Sequence, residues 1–205
     1  MRIHEQDAFI DALAIEGYAL FPQFLKKAEC QSILSHIADL KAEDDFKKAG
    51  IGKQLDYTIK KNLRGDFIRW IKKQEEPETV QLYLEQLELL KELINRTCFL
   101  SLKDFEVHYT YYPENTRYIK HRDRFQSNAH RLISIVCYLA EDWQKEDGGQ
   151  LVIYKESGEQ IEIHPEQGLL VCFKSEMEHE VLLTRRPRYS LTGWMLDQPA
   201  KLTFL

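Results

Sequence analysis

The chain has 205 residues, 43% of them hydrophobic, which suffices for one sizeable core and matches a single domain spanning 1–205. Charged residues make up 30% but the formal net charge is only -5, so no global basic field exists and nucleic acid is not an expected partner. The start Met1-Arg2-Ile3-His4-Glu5-Gln6-Asp7 has no apolar signal core, and no later apolar run reaches bilayer-spanning length; the expectation is a cytoplasmic protein with no membrane partner.

The first element expected is a helix over Gln6 to Ile15, with Phe9, Ile10, Leu13 and Ala14 on one face and Gly17 as its stop. A short strand, Tyr18 to Leu25, follows. Lys27 to Lys48 place Ile33, Leu34, Ile37 and Leu40 at helical spacing, and Pro77 to Phe99 do the same with Val80, Leu84, Leu87, Leu90 and Ile94. The charged stretch Lys41 to Lys61 reads as a mobile loop. Cys30, Cys98, Cys137 and Cys172 lie in apolar segments without a CxxC spacing, as reduced core thiols do.

From Asp104 onward, short runs rich in Val, Ile, Tyr and Phe alternate with turn residues such as Pro113-Glu114-Asn115, Gly148-Gly149 and Arg186-Pro187. The expected strands are Glu106 to Tyr112, Leu132 to Leu139, Gln150 to Tyr154, Gln160 to His164, Leu169 to Phe173, Glu180 to Thr184 and Tyr189 to Leu196. Seven or eight strands behind a helical front half fit an α+β fold, a double-stranded β-helix (jelly-roll) core with N-terminal helices packed on one sheet. The division falls near residue 100, with helical support before it and the core after it.

His121 and Asp123 end a strand-like run two residues apart, so a period of two sends both side chains to one face. His179 offers a third ligand where one strand ends and another begins. Two imidazoles and one carboxylate form the facial triad of non-haem iron(II) oxygenases, which leaves three positions open for cosubstrate and dioxygen. A structural zinc cage would want four ligands and more sulfur. Taken alone, His121-Arg122-Asp123 is equally readable as an exposed turn.

Arg188 lies nine residues beyond His179 and is followed at alternating positions by Ser190, Thr192 and Trp194, which share one strand face; Ser190 and Trp194 are expected to bind the cosubstrate with it. A guanidinium aimed into the site can clamp a carboxylate bidentately. That matches 2-oxoglutarate, whose keto-acid end chelates iron and whose far carboxylate would otherwise be a buried, unpaired anion. Tyr138 and Tyr112 are either hydroxyl donors to the oxo-acid or plain core residues.

With these residues in view, the stretch from about Phe105 to Asp197 resembles the catalytic core of prolyl hydroxylases, and in particular the bacterial relatives of the animal oxygen-sensing enzymes. The blocks that carry the resemblance are Tyr112-Pro113, Tyr118-Ile119-Lys120-His121-Arg122-Asp123, Arg131 before Tyr138-Leu139, Gly148-Gly149-Gln150-Leu151, His179-Glu180-Val181 and Arg188-Tyr189-Ser190 ending in Trp194. Upstream, Arg64-Gly65-Asp66-Phe67-Ile68-Arg69-Trp70 resembles an Arg-x-Asp-x-Ile-x-Trp signature of the same subgroup. The resemblance implies that Asp66 and Arg131 pair near the substrate entrance, with Trp70 as a further substrate-binding residue, and that Lys41 to Lys61 supply a lid; the alternative is that Trp70 and Ile68 simply cover the core. Arg124 to His130 departs from it, being short and free of glycine.

The activity implied is hydroxylation at C4 of a prolyl residue in a protein, with 2-oxoglutarate converted to succinate and carbon dioxide. Iron(II), 2-oxoglutarate and dioxygen are the implied cofactor and cosubstrates, with ascorbate as reductant and a cytoplasmic translation factor among the candidate protein partners. A carboxylate in the third ligand position leaves no room for halide, which favours hydroxylation over halogenation. Lys60, Lys61, Arg64, Arg69, Lys72 and Lys73 either attract an acidic partner or form a solvated face balanced by Glu75, Glu76 and Glu78. Three other readings stand beside this one: a nucleic-acid demethylase, a hydroxylase of a free amino acid or other small metabolite, and a non-catalytic jelly-roll binding module.

Overall fold

Eleven strands and three α-helices occupy the described residues of the computed structural model, 3–50, 64–124 and 129–200. In chain order they are α1 (Ile3–Ile15), β1 (Tyr18–Phe21), α2 (Lys27–Ala42), β2 (Lys47–Lys48), β3 (Phe67–Trp70), α3 (Glu78–Cys98), β4 (Asp104–Tyr112), β5 (Tyr118–His121), β6 (Arg131–Tyr138), β7 (Leu151–Tyr154), β8 (Gln160–Ile163), β9 (Leu170–Lys174), β10 (Glu178–Val181) and β11 (Arg188–Leu196). The major sheet runs β1-β9-β6-β11-β4-β3-β2, and the minor sheet β5-β10-β7-β8. Neighbours within both are antiparallel. The expected double-stranded β-helix with helices packed on one sheet is the fold observed.

Strand alternation sorts the major sheet's side chains between two environments. Phe105, Val107 and Tyr109 of β4, Ile133, Ile135 and Cys137 of β6, and Leu191 and Met195 of β11 pack against the helices, meeting Phe9 and Leu13 of α1, Ile33 and Ile37 of α2, and Leu87 and Ile94 of α3. Val136, Tyr138, Val171 and Phe173 face the other way and close on Leu151, Ile153 and Ile163 of the minor sheet. Burying each large apolar side chain contributes about 1.5–3 kcal/mol, so the helical layer holds the major sheet rigid while its other face is left to carry chemistry.

Several boundaries differ from the sequence expectation. The helix expected to Lys48 stops at Ala42, because Glu43-Asp44-Asp45 puts acid at the negative end of the helix dipole and Asp44 takes a left-handed turn at φ 57. Lys47–Lys48 then pairs with Phe67–Ile68 as an edge strand; residues 51–61 of the expected lid lie outside the described residues, as do 125–128 of the divergent segment. The strand expected over Tyr18 to Leu25 ends at Phe21, since Pro22 donates no ladder hydrogen bond and Gln23 turns at φ 56. The strand expected over Glu180 to Thr184 runs instead from Glu178 to Val181, so His179 lies within β10. Among the described residues, no helix is long and apolar enough to cross a membrane.

Candidate active site

The face of the major sheet turned away from the helices is a grid of rows set by strand register. Tyr112 pairs with Arg188, Thr110 with Ser190 and then Tyr138, His108 with Thr192 and then Val136, and Glu106 with Trp194 and then Ser134. On the outer side, Ile68 continues the second row and Trp70 the third. All of these but Ser190 and Tyr138 line a cavity of about 730 Å³, and His121, Asp123 and His179 wall it from the minor sheet side.

His121 and His179 are direct cross-strand partners in β5 and β10, and Asp123 follows at the end of β5. Nδ1 of His121 donates to the carbonyl of Ile119 at 2.8 Å, and Nδ1 of His179 to that of Met177 at 3.0 Å. A backbone carbonyl can only accept, so both protons sit on Nδ1 and both Nε2 lone pairs face the cavity. The Asp123 carboxylate lies 3.7 Å from Nε2 of His121 and 3.4 Å from Nε2 of His179. Donors about 2.0–2.2 Å from a divalent ion sit about 3 Å apart at neighbouring octahedral positions, so a contraction of under about 1 Å suffices. These three residues form the metal-competent group found among the described residues.

Electrostatics prepares the same donors. Burial pushes His121 down to about 3, reinforced by the neighbouring His179, so its ring is neutral at physiological pH and free to ligate. Burial alone would raise Asp123, but His179, His121 and the Ser134 hydroxyl outweigh it and hold the carboxyl at about 2, ionised. Ser134 donates to Asp123 at 2.7 Å and lies 2.9 Å from the Ser175 hydroxyl, while the backbone N–H groups of Asp123 and Arg124 both bond the Ser175 carbonyl. Tyr118 stacks flat on His121 at 3.6 Å. Sequence reasoning missed Ser134 and Ser175 because their partners come from other strands.

Deeper in the cavity, Arg188 is 2% exposed, with its guanidinium 4.9 Å from the Tyr138 ring centre and 5.1 Å from that of Tyr112. Nε of Arg188 and the Tyr138 hydroxyl are sealed from solvent and have no hydrogen-bond partner among the described residues. Each orphan costs about 1–3 kcal/mol, so the cradle suits an incoming carboxylate. Burial raises the Tyr138 and Tyr112 phenols, keeping both protonated as donors. Gly149 makes room for Arg188: it sits at φ +66, and a Cβ there would lie 3.1 Å from Cδ of Arg188. Ser190, 1% exposed, contacts the Thr192 hydroxyl at 3.2 Å beside this pocket.

At the open rim the expected Asp66–Arg131 pair does not form. Asp66 is buried and bound by Arg64, whose Nε donates to Oδ1 at 2.8 Å, whereas Arg131 donates to Glu106 at 2.7 and 3.0 Å across the face of Trp194. Strand order explains it: β11 and β4 separate β6 from the segment holding Asp66, so each charge finds a nearer partner. Trp70 lines the cavity, 6.3 Å from Trp194 and 4.9 Å from His108. His108 went unnoticed in the sequence, although its even spacing from Tyr112 on β4 marks it as facing the cavity.

The sequence model described as the 2OG-Fe(II) oxygenase superfamily matches residues 107–196, a stretch running from β4 through β11. A prolyl-4-hydroxylase from Pseudomonas putida is 35% identical and superimposes with a TM-score of 0.85, covering 95% of this chain and 100% of that one. The chain belongs to the prolyl-hydroxylase-like 2OG-Fe(II) oxygenases. A Trichoplax adhaerens prolyl hydroxylase, solved with a hypoxia inducible factor oxygen degradation domain peptide fragment, has the same fold at TM-score 0.85 and 24% identity, over 95% of this chain and 90% of its own. Human prolyl hydroxylase EGLN3 is 27% identical over 195 residues, 88% of this chain and 79% of that protein. The oxygenase is thus a 2-oxoglutarate-dependent dioxygenase that uses iron(II), 2-oxoglutarate and dioxygen, and its His-Asp-His group fits the iron.

Proposed function

We propose that the oxygenase hydroxylates C4 of a prolyl residue within a polypeptide, converting 2-oxoglutarate to succinate and carbon dioxide. The observation that carries this reading is the identity of 35% over nearly the whole chain to a prolyl-4-hydroxylase, combined with a cavity whose rim is lined by Trp70, Trp194 and Arg131. Aromatic walls suit the apolar pyrrolidine ring, and an open rim admits the chain on either side of it. The candidate protein partner is a cytoplasmic translation factor, and the candidate reductant is ascorbate.

His121, Asp123 and His179 hold the iron, which when bound supplies the chelation of the oxo-acid and the binding of dioxygen. Arg188 and Tyr138 receive the far carboxylate of 2-oxoglutarate, with Tyr112 and Ser190 completing that end of the pocket. Ser134 keeps Asp123 oriented, and Tyr118 keeps the His121 ring from rotating. Trp194 and Trp70 guide the target ring and exclude water from it, while Arg131 braces Trp194. Asp66 acts through Arg64, which covers the Tyr118 ring at 4.5 Å.

The test is incubation with iron(II), 2-oxoglutarate, ascorbate and proline-containing peptides, following succinate and a peptide mass gain of one oxygen atom. Both together support the reading. Succinate with free proline or other small metabolites alone favours the metabolite reading, and no succinate under any condition favours the silent module.

A further inference from the structure

His108 is a buried imidazole with an unused edge. It sits on β4 at 2% exposure, in the row between Trp70 on β3 and Thr192 on β11, and lines the cavity. Its Nδ1 lies 2.9 Å from the Thr110 hydroxyl and 3.3 Å from the Tyr109 carbonyl. The carbonyl only accepts, so the proton belongs on Nδ1 and Nε2 is left as a bare acceptor. Among the described residues Nε2 has no hydrogen-bond partner, and the Trp70 and Trp194 rings pack on the imidazole with ring centres 4.9 and 5.5 Å from its own.

We propose that His108 is a specificity-determining residue that accepts, through Nε2, a hydrogen bond from a main-chain N–H of the polypeptide entering the cavity over Trp70 and Trp194. This rests on the reading of the oxygenase as acting on a polypeptide. An acceptor that faces the cavity without a protein partner is open to an incoming donor, and the amides flanking a target proline, which itself has no N–H, lose water when they enter an aromatic-lined cleft. The donor is neutral: burial first, then Arg64 and Arg131 against the opposing pull of Asp66, hold the imidazole uncharged and disfavour a further cation beside it. His108 thereby sets the register of the chain, deciding which residue presents its C–H bond to the iron.

The experiment uses the iron- and 2-oxoglutarate-loaded enzyme with one hydroxylated proline peptide and a series of that peptide methylated at one backbone nitrogen at a time. The wild type is expected to lose about tenfold or more in kcat/KM at one methylated position, the value of one lost hydrogen bond to a buried group. His108→Leu is expected to lose a similar factor with the unmodified peptide and to be indifferent to methylation at that position. His108→Gln, which keeps an acceptor, is expected to recover part of the rate and the sensitivity, and a cooperative thermal transition confirms that each variant is folded. Equal sensitivity of wild type and His108→Leu at every methylated position overturns the proposal while leaving the prolyl hydroxylase reading intact. Failure of every peptide to gain oxygen while 2-oxoglutarate is still turned over overturns the polypeptide reading and this inference with it.

Discussion

His121 and His179 stand directly opposite each other in the antiparallel pair β5–β10, with ring centres 4.2 Å apart. Cross-strand partners in a sheet are held by the ladder on both sides, so the two Nε2 atoms converge without any loop having to close. Asp123 is less constrained by the ladder, and Ser134 and Ser175 supply what the strand does not.

Ser134→Ala is expected to weaken iron(II) binding by about 10–100-fold while leaving the fold intact, because it removes the hydroxyl that orients Asp123. An equilibrium metal titration measures it. Unchanged affinity would mean that the two backbone bonds to Ser175 suffice to hold the carboxylate.

Arg188→Ala is expected to raise the KM for 2-oxoglutarate by about 10–100-fold, matching about 1.5–3 kcal/mol for hydrogen bonds to a charged group. Arg188→Lys keeps the charge without the fork and falls between. Steady-state succinate formation over a range of oxo-acid concentrations gives both values, and an unaltered KM in the alanine variant is incompatible with the anchor assigned here.

Gly149→Ala acts on the same pocket from behind. The new methyl must take a left-handed backbone and press on Cδ of Arg188, so 2-oxoglutarate affinity falls several-fold and stability drops by about 1 kcal/mol or more. Calorimetric binding of 2-oxoglutarate to the metal-loaded variant checks the first, and a denaturant midpoint the second.

How much of this was legible beforehand depended on whether a residue's role is local. The spacing of His121 and Asp123, and the alternation of Arg188, Ser190, Thr192 and Trp194, are properties of a single strand and could be read from a period of two. Pairings across strands could not: Arg131 meets Glu106, and Asp66 meets Arg64, because strand order places them so, and nothing in the spacing of Asp66 and Arg131 encodes that order. Strands β3 and β5 went undelineated although β7 and β8, also four residues each, were found: β7 follows the Gly148-Gly149 turn and is rich in apolar residues, whereas Phe67–Trp70 and Tyr118–His121 each carry a cation within a short run.

The Arg64–Asp66 pair predicts a stability effect of its own. Asp66→Ala leaves a buried guanidinium uncompensated and is expected to cost about 3–5 kcal/mol, seen as a lower urea midpoint. Replacing both partners by apolar residues should recover much of that loss; a single variant as stable as the parent would show the pair to be solvated.

Acid sensitivity follows from His108. Its folded-state pKa is lowered from 6.5 to about 3, by burial first and by Arg64 next, so the unfolded chain binds a proton that the folded chain refuses. Stability therefore falls as pH drops from 6.5 toward 3, by about 1.4 kcal/mol per pH unit for this one group. His108→Leu should flatten the pH dependence of the apoprotein's unfolding free energy between about pH 6.5 and 4.5, above the range where ordinary carboxylates titrate. Parallel profiles for the two proteins would show that His108 is protonated in the fold.

The central claim is that His121, Asp123 and His179 hold one ferrous ion between the two sheets. Anaerobic titration of the protein with iron(II) in the presence of 2-oxoglutarate tests it most directly. Wild type is expected to take up one equivalent, and Asp123→Ala to bind more than about 100-fold more weakly. An Asp123→Ala protein that fills with iron as tightly as the parent contradicts the account.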